Sequence, residues 1–162
     1  NINKNDINGG SYQLFVRHQR EGIDTMMFWE LLGESHVKAF AENVANNKAQ
    51  TMGFINYAVS QGKKIYILGA STKGNTIMQY YGLDSSTIAG AAEIHPDKIG
   101  KYLVGTSIPI VHEDEAKEKA DYFLVFPFHF KQVFREKIMF DWLQQDDKYL
   151  LFCTPEFEVV GR

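Results

Sequence analysis

Polar and apolar residues alternate over residues 11–18, with Tyr12, Leu14 and Val16 set against Gln13, Phe15 and Arg17. A period of two predicts a strand. Residues 1–10, "NINKNDINGG", are polar and rich in Asn and Gly, and predict a linker ending in a turn. "REGID" predicts a second turn, and the apolar run "TMMFWELLG" (25–33) carries no clear period. From Ser35 or His36 to about Gln61 the spacing changes to three and four. Val37, Ala41, Val44, Met52, Ile55 and Val59 fall on such steps or their multiples. This predicts one long helix, with Ser35 as its N-cap and Gly62 as its stop.

Beyond Gly62 strands and helices alternate. Strands are predicted over 64–68, 88–94, around 108–111, and over 122–126, 148–153 and 157–160. Helices are predicted over 73–81 (closed by Gly82), 113–119 and 131–144, the last with Phe134, Ile138 and Trp142 on one stripe. "IYIL" and "YFLVF" are almost unbroken apolar runs, as strands buried on both faces require. Such alternation implies an α/β, Rossmann-like three-layer domain with a mostly parallel sheet. It should occupy residues 62–162 as one compact unit. A linker, an N-terminal strand and a long helix precede it over residues 1–61, and the strand can belong to a neighbouring module. No internal repeat or low-complexity segment is visible.

Composition narrows the functions. The chain has 162 residues, 44% of them hydrophobic, enough for one packed domain. Its 17 Lys and Arg are scattered and the net charge is −3, which argues against nucleic acid as a partner. No apolar run approaches the roughly 20 residues that span a bilayer, so a membrane is not expected as a partner. No secretory signal is visible. A single cysteine, Cys153, excludes an internal disulfide framework and points to a reduced, cytoplasmic setting. It is expected to be a buried core thiol rather than a nucleophile. The first residue is Asn1 rather than Met, which suggests a piece of something longer.

The stretch with most chemical promise is "YILGASTKGNTIMQYYG" (66–82), a strand, a Gly-rich turn and a helix. Such a turn leaves backbone N–H groups free at the positive end of the helix dipole, where an anion is favoured. Gly69 suits the turn, and Gly74 suits close packing of helix on sheet. Neither common nucleotide fingerprint is present. Ser71 stands where the dinucleotide motif has its middle glycine, and Lys73 precedes the second glycine instead of following it. Lys73 can still offer a point charge to a phosphate, and Ser71, Thr72 and Asn75 can offer hydroxyl and amide donors. The same residues also suit a tight connection with a Ser/Thr N-cap and no ligand. Glu93 lies 24 residues after Gly69, near the spacing of a ribose contact. An ordinary strand-end acid would look the same.

Two further loops are candidates at the same expected edge. In "FPFHF" (126–130), His129 can donate a hydrogen bond or act as a base, and phenylalanines such as Phe128 can stack on a nucleobase. In "VGTSIP" (104–109), Gly105 and Thr106 can touch a phosphate or sugar. Either loop can equally be packing alone. "EDEAKEKAD" reads as a solvated helix face. The five histidines form no pair at metal-ligand spacing, and no Gly-x-Ser-x-Gly elbow occurs, so neither a metal site nor a catalytic residue is assigned.

Taken in order, "NGGSYQLFV", the long helix, the Gly-rich stretch, "AAEIHPDKIGKYLVGTSIPIV", "DYFLVFPFHF" and "FCTPEFEVV" resemble a known family. It is the C-terminal domain of S-adenosylmethionine-dependent sugar C-methyltransferases, which act on nucleotide-linked keto-deoxysugars. The resemblance runs over residues 8–160. It implies a transferase with a zinc-binding cysteine-rich region and a middle methyltransferase domain that binds the methyl donor and supplies the base. A proton leaves the carbon beside the keto group, and the enolate carbon attacks the donor methyl. The C-terminal domain is then the platform for the nucleotide-diphosphate-sugar, with residues 69–75 toward the diphosphate. Gly105, Thr106, Phe128 and His129 would line the sugar or nucleotide side. This chain has neither the zinc cysteines nor an acidic-Gly-x-Gly-x-Gly donor loop. S-adenosylmethionine and zinc are therefore expected in other domains, and this piece is expected to be inactive alone. It departs from the family at Glu93–His95, where relatives tend to show Asp and a polar residue, and at Phe128, where Trp is usual. Two other readings stand beside this one: a coenzyme-A- or NAD-binding Rossmann domain, and a purely structural pairing module.

Overall fold

The computed structural model describes residues 2–5, 11–14 and 34–162. The chain divides into two compact units, residues 1–45 and 46–162. In the first, β1 (Ile2–Asn5) pairs antiparallel with β2 (Ser11–Leu14), Ile2 opposite Leu14 and Asn5 opposite Ser11. The expected linker over residues 1–10 therefore contains a strand. "INKN" carries little β propensity, and it is held by its ladder with β2 rather than by side-chain preference. Residues 15–18, both predicted turns outside residues 2–5 and the 25–33 run lie outside the described residues.

Helix α1 (Glu34–Ser60) runs through both units. Ser35 lies inside its first turn rather than at its N-cap, because Glu34 is already helical and pairs with Lys38 at 2.9 Å. Of the predicted stripe, Ile55 is fully buried and Met52 and Val59 are partly so. Val37, in the first unit, is 57% exposed. The helix ends before Gly62, whose N–H donates to Val59 O.

The second unit is built on a six-stranded sheet of order β5-β4-β3-β6-β7-β8. Its strands are β3 (Ile65–Leu68), β4 (Gly90–Glu93), β5 (Ile110–His112), β6 (Tyr122–Val125), β7 (Tyr149–Phe152) and β8 (Glu158–Val160). All pairs are parallel except β7 with β8. The α/β, Rossmann-like reading with its mostly parallel sheet is thus correct, with boundaries shifted by a residue or two.

Side chains on successive strand positions point to opposite faces, and the core divides accordingly. Ile65, Ile67, Leu124 and Leu151 pack on one face with Ile55 and Ala58 of α1 and with Met78 and Tyr81 of α2 (Thr72–Tyr81). Tyr66, Leu68, Phe123, Val125 and Phe152 pack on the other with Ala116 of α3 (Glu113–Lys119) and with Met139, Trp142 and Leu143. Lys119–Glu115 lies on the exposed face of α3, as expected of a solvated face, while Lys117–Glu113 is half-buried.

The helix predicted over 131–144 is broken. A 3₁₀ turn (Phe128–Phe130) leads into α4 (Lys131–Val133), a π-helical turn (Phe134–Ile138) and α5 (Phe140–Leu143). The Met139 N–H donates to Phe134 O at 2.8 Å, five residues back. That extra residue rotates the rest of the helix by about one helical position. Met139 and Leu143, one position beyond the predicted Ile138 and Trp142, are buried; Ile138 is 46% exposed, and Trp142 stays buried beside Leu143.

Candidate binding site

In a sheet of this order the chain leaves β3 toward β4 on one side and returns to β6 on the other. The crevice beyond the carboxyl ends of β3 and β6 is where ligands of such folds sit. Residues 69–74 follow β3, Pro127 to His129 follow β6, and Glu93 ends β4 beside β3. The sheet thus brings Gly69, Ser71, Thr72, Lys73, Gly74, Asn75, Glu93, Phe128 and His129 to one edge.

Three residues make the reversal from β3 to α2. Gly69 adopts φ +88°, a left-handed value that other residues rarely take, and its N–H donates to Ala92 O at 2.9 Å. Ser71 is the N-cap of α2, with its Oγ accepting from the Gly74 N–H at 3.1 Å. Its side chain caps the helix as an acceptor, which leaves the hydroxyl proton to donate elsewhere. Among the described residues the N–H groups of Thr72 and Lys73 have no acceptor, and the exposed Lys73 ammonium has no partner. Gly74 lies under the ring of Phe126: a Cβ there would sit 2.6 Å from Cδ2. This contact draws the turn after β3 toward the segment after β6.

Glu93 is not an open strand-end acid. Its Oε1 accepts from the N–H groups of Ile94 (3.0 Å) and His95 (3.1 Å), and its Oε2 from Lys98 Nζ (2.8 Å). Burial pushes the carboxyl up, but the bond from Lys98 and the two backbone N–H groups outweigh it and hold it below the usual carboxylate range. Lys98 also donates to Ala70 O at 3.1 Å, inside the turn. The sequence reading missed Lys98. No local pattern marks it, since the contact reaches across 28 residues.

On the β6 side, Phe128 is half-buried against the second core cluster and meets His129 edge-on, ring centroids 5.6 Å apart. Two polar atoms of the predicted set are buried without a hydrogen-bond partner: Asn75 Oδ1 and His129 Nδ1. His129 borders a shallow depression with Lys131, Gln132, Arg135 and Glu136.

Gly105 and Thr106 lie elsewhere. Residues 101–103 run back antiparallel to 108–110, shown by the Tyr102–Pro109 bridge and the Leu103 N–H to Ile108 O bond. The turn between them sits at the amino edge, against the end of α2, where Ser85 N–H donates to Thr106 O and Gln79 Nε2 to Val104 O. Thr106 is buried, and its hydroxyl donates to Leu103 O and accepts from the Ile108 N–H. The expectation that this loop shares the binding edge is therefore corrected. A parallel strand must start at the amino edge, so the loop that feeds β5 turns there.

Cys153 is buried in the core, and burial pushes its thiol up to about 12, as a core residue rather than a nucleophile. Among the described residues no three His, Cys, Asp or Glu converge as a metal site would require, and no helix is long and apolar enough to cross a membrane.

Comparison with known proteins agrees with this architecture. The chain is 26% identical over 136 residues to the C-methyltransferase NovU of Streptomyces niveus, a match covering 77% of this chain. The chain spans 32% of that protein's length. The family described as the C-methyltransferase C-terminal domain matches residues 6–150, and the chain belongs to that family.

Proposed function

We propose that this domain holds a nucleotide-diphosphate-linked keto-deoxysugar for a C-methyl transfer carried out by a methyltransferase domain outside it. In this reading S-adenosylmethionine and zinc reside in those other domains, the setting is cytoplasmic, and the domain alone transfers no methyl group. The residues here do not fit the donor: Tyr66, Ile67 and Leu68 precede Gly69 with no acid among them, and Ser71 is engaged as a cap. The observation that carries the reading is the pair of N–H groups at Thr72 and Lys73, which with the Lys73 ammonium have no partner among the described residues, at the switch point of the sheet. This is the chemistry a diphosphate needs. Glu93 is engaged by Lys98 and two backbone N–H groups, which makes a nicotinamide dinucleotide the less suited occupant. Val37 and Phe40, exposed on α1, support pairing with the methyltransferase domain. Calorimetry with thymidine diphosphate tests the proposal. Micromolar binding, worth about 8 kcal/mol, is expected, and absence of binding by any nucleoside diphosphate would overturn it.

A further inference from the structure

We infer that Lys98 is a positioning residue for the Gly-rich turn, and that Glu93 serves to aim Lys98 rather than to contact a ribose. The inference rests in part on the binding reading above.

The turn of residues 69–71 contributes carbonyl and N–H groups that belong to no ladder. One of them, Ala70 O, is met by a side chain from another loop, Lys98 Nζ at 3.1 Å. A lysine is long and mobile, and one exposed hydrogen bond would not fix it. Here the ammonium is also held at 2.8 Å by Glu93, whose side chain is only 11% exposed. Glu93 is itself fixed by two backbone N–H groups of its own loop. The Lys98 backbone is clamped as well, its N–H donating to His95 O and its carbonyl accepting from the Lys101 N–H. A chain of short contacts thus runs from the end of β4 to the middle of the turn. Together with the Gly69 N–H to Ala92 O bond, it ties the turn to β4 at two points. Three acceptor positions of Glu93 are filled, leaving it poorly placed to receive both hydroxyls of a ribose.

The test uses the chain with Lys98→Met, Lys98→Arg and Glu93→Gln, read by amide hydrogen exchange and by calorimetry. In Lys98→Met, exchange at Gly69 and Ser71 should rise about fivefold or more while that of Leu151 stays unchanged. Affinity for thymidine diphosphate should fall about tenfold, and Lys98→Arg should restore most of it. Glu93→Gln should weaken uridine diphosphate and 2′-deoxyuridine diphosphate equally. Unchanged exchange in the turn of Lys98→Met overturns the positioning role, and so does an affinity loss in Glu93→Gln confined to the ribonucleotide. If the wild-type chain binds no nucleotide yet exchange in the turn still rises, the binding proposal fails and the positioning role stands. Should Lys98→Met fail to fold, Glu93→Gln, which keeps the side-chain shape, decides by the same two readouts.

Discussion

The ring of Phe126 fills the space that a side chain at Gly74 would need, its Cδ2 only 2.6 Å from where a Cβ would lie. One contact therefore sets how near the first turn of α2 comes to the strand end of β6. Gly74→Ala should destabilise the chain by about 1–3 kcal/mol through overpacking. Gly74→Ala combined with Phe126→Leu should recover part of that loss. Urea denaturation of the two single variants and the double variant checks it, and strict additivity would show that the two residues do not meet.

Thr106 gives a contrasting case. Its buried hydroxyl closes the turn at the amino edge, away from the proposed site. Thr106→Val should cost about 1 kcal/mol of stability and leave thymidine diphosphate affinity unchanged. Calorimetry beside denaturation separates the two effects.

These two residues also show what could be read from sequence. The strand–helix alternation and the cap at Ser71 are local, so the six-stranded sheet and the turn after β3 were legible. Gly74 was legible as a close-packing position, though not the identity of its neighbour, Phe126. The edge on which a loop lies is a matter of topology. "VGTSIP" looks like a binding loop by composition, but the run 101–103 first carries the chain back along β5. Lys98 was invisible because Ala70 becomes its partner only after β4 docks beside β3, and its pairing with Glu93, five residues back, follows no helix or strand period. The strand at residues 2–5 was missed because three of its four residues, Asn3, Lys4 and Asn5, have low β propensity.

The π-helical turn was also beyond a simple period of 3.6. It predicts that Met139→Ala costs about 2–5 kcal/mol, as a core truncation does. Ile138→Ala should change stability by no more than about 0.5 kcal/mol. An uninterrupted helix would give the larger loss at Ile138. Thermal and urea unfolding of the pair decides.

Alkaline pH should unfold the chain early. Burial pushes Cys153 from 9.0 and Tyr81 from 10.0, each up to about 12. Below about pH 9 both groups are protonated in the folded and unfolded chain, so stability is unaffected there. Above it the unfolded chain loses first the thiol proton and then the phenol proton, while the folded chain keeps both until about 12. The unfolded state then binds fewer protons, and stability falls as pH rises from about 9 to 12. Urea midpoints across pH 8–11 should show the decline, and Cys153→Ala should delay its onset to about pH 10.

Lys73 decides whether the turn is a binding site or only a connection. Its side chain is exposed and makes no hydrogen bond or ion pair among the described residues, so Lys73→Ala should leave stability within about 0.5 kcal/mol of the parent. The most direct measurement is calorimetric titration of the parent chain and Lys73→Ala with thymidine diphosphate. The account predicts micromolar binding by the parent and about tenfold or greater loss in the variant. Failure of the parent to bind any nucleoside diphosphate, or equal affinity of the two, would contradict it.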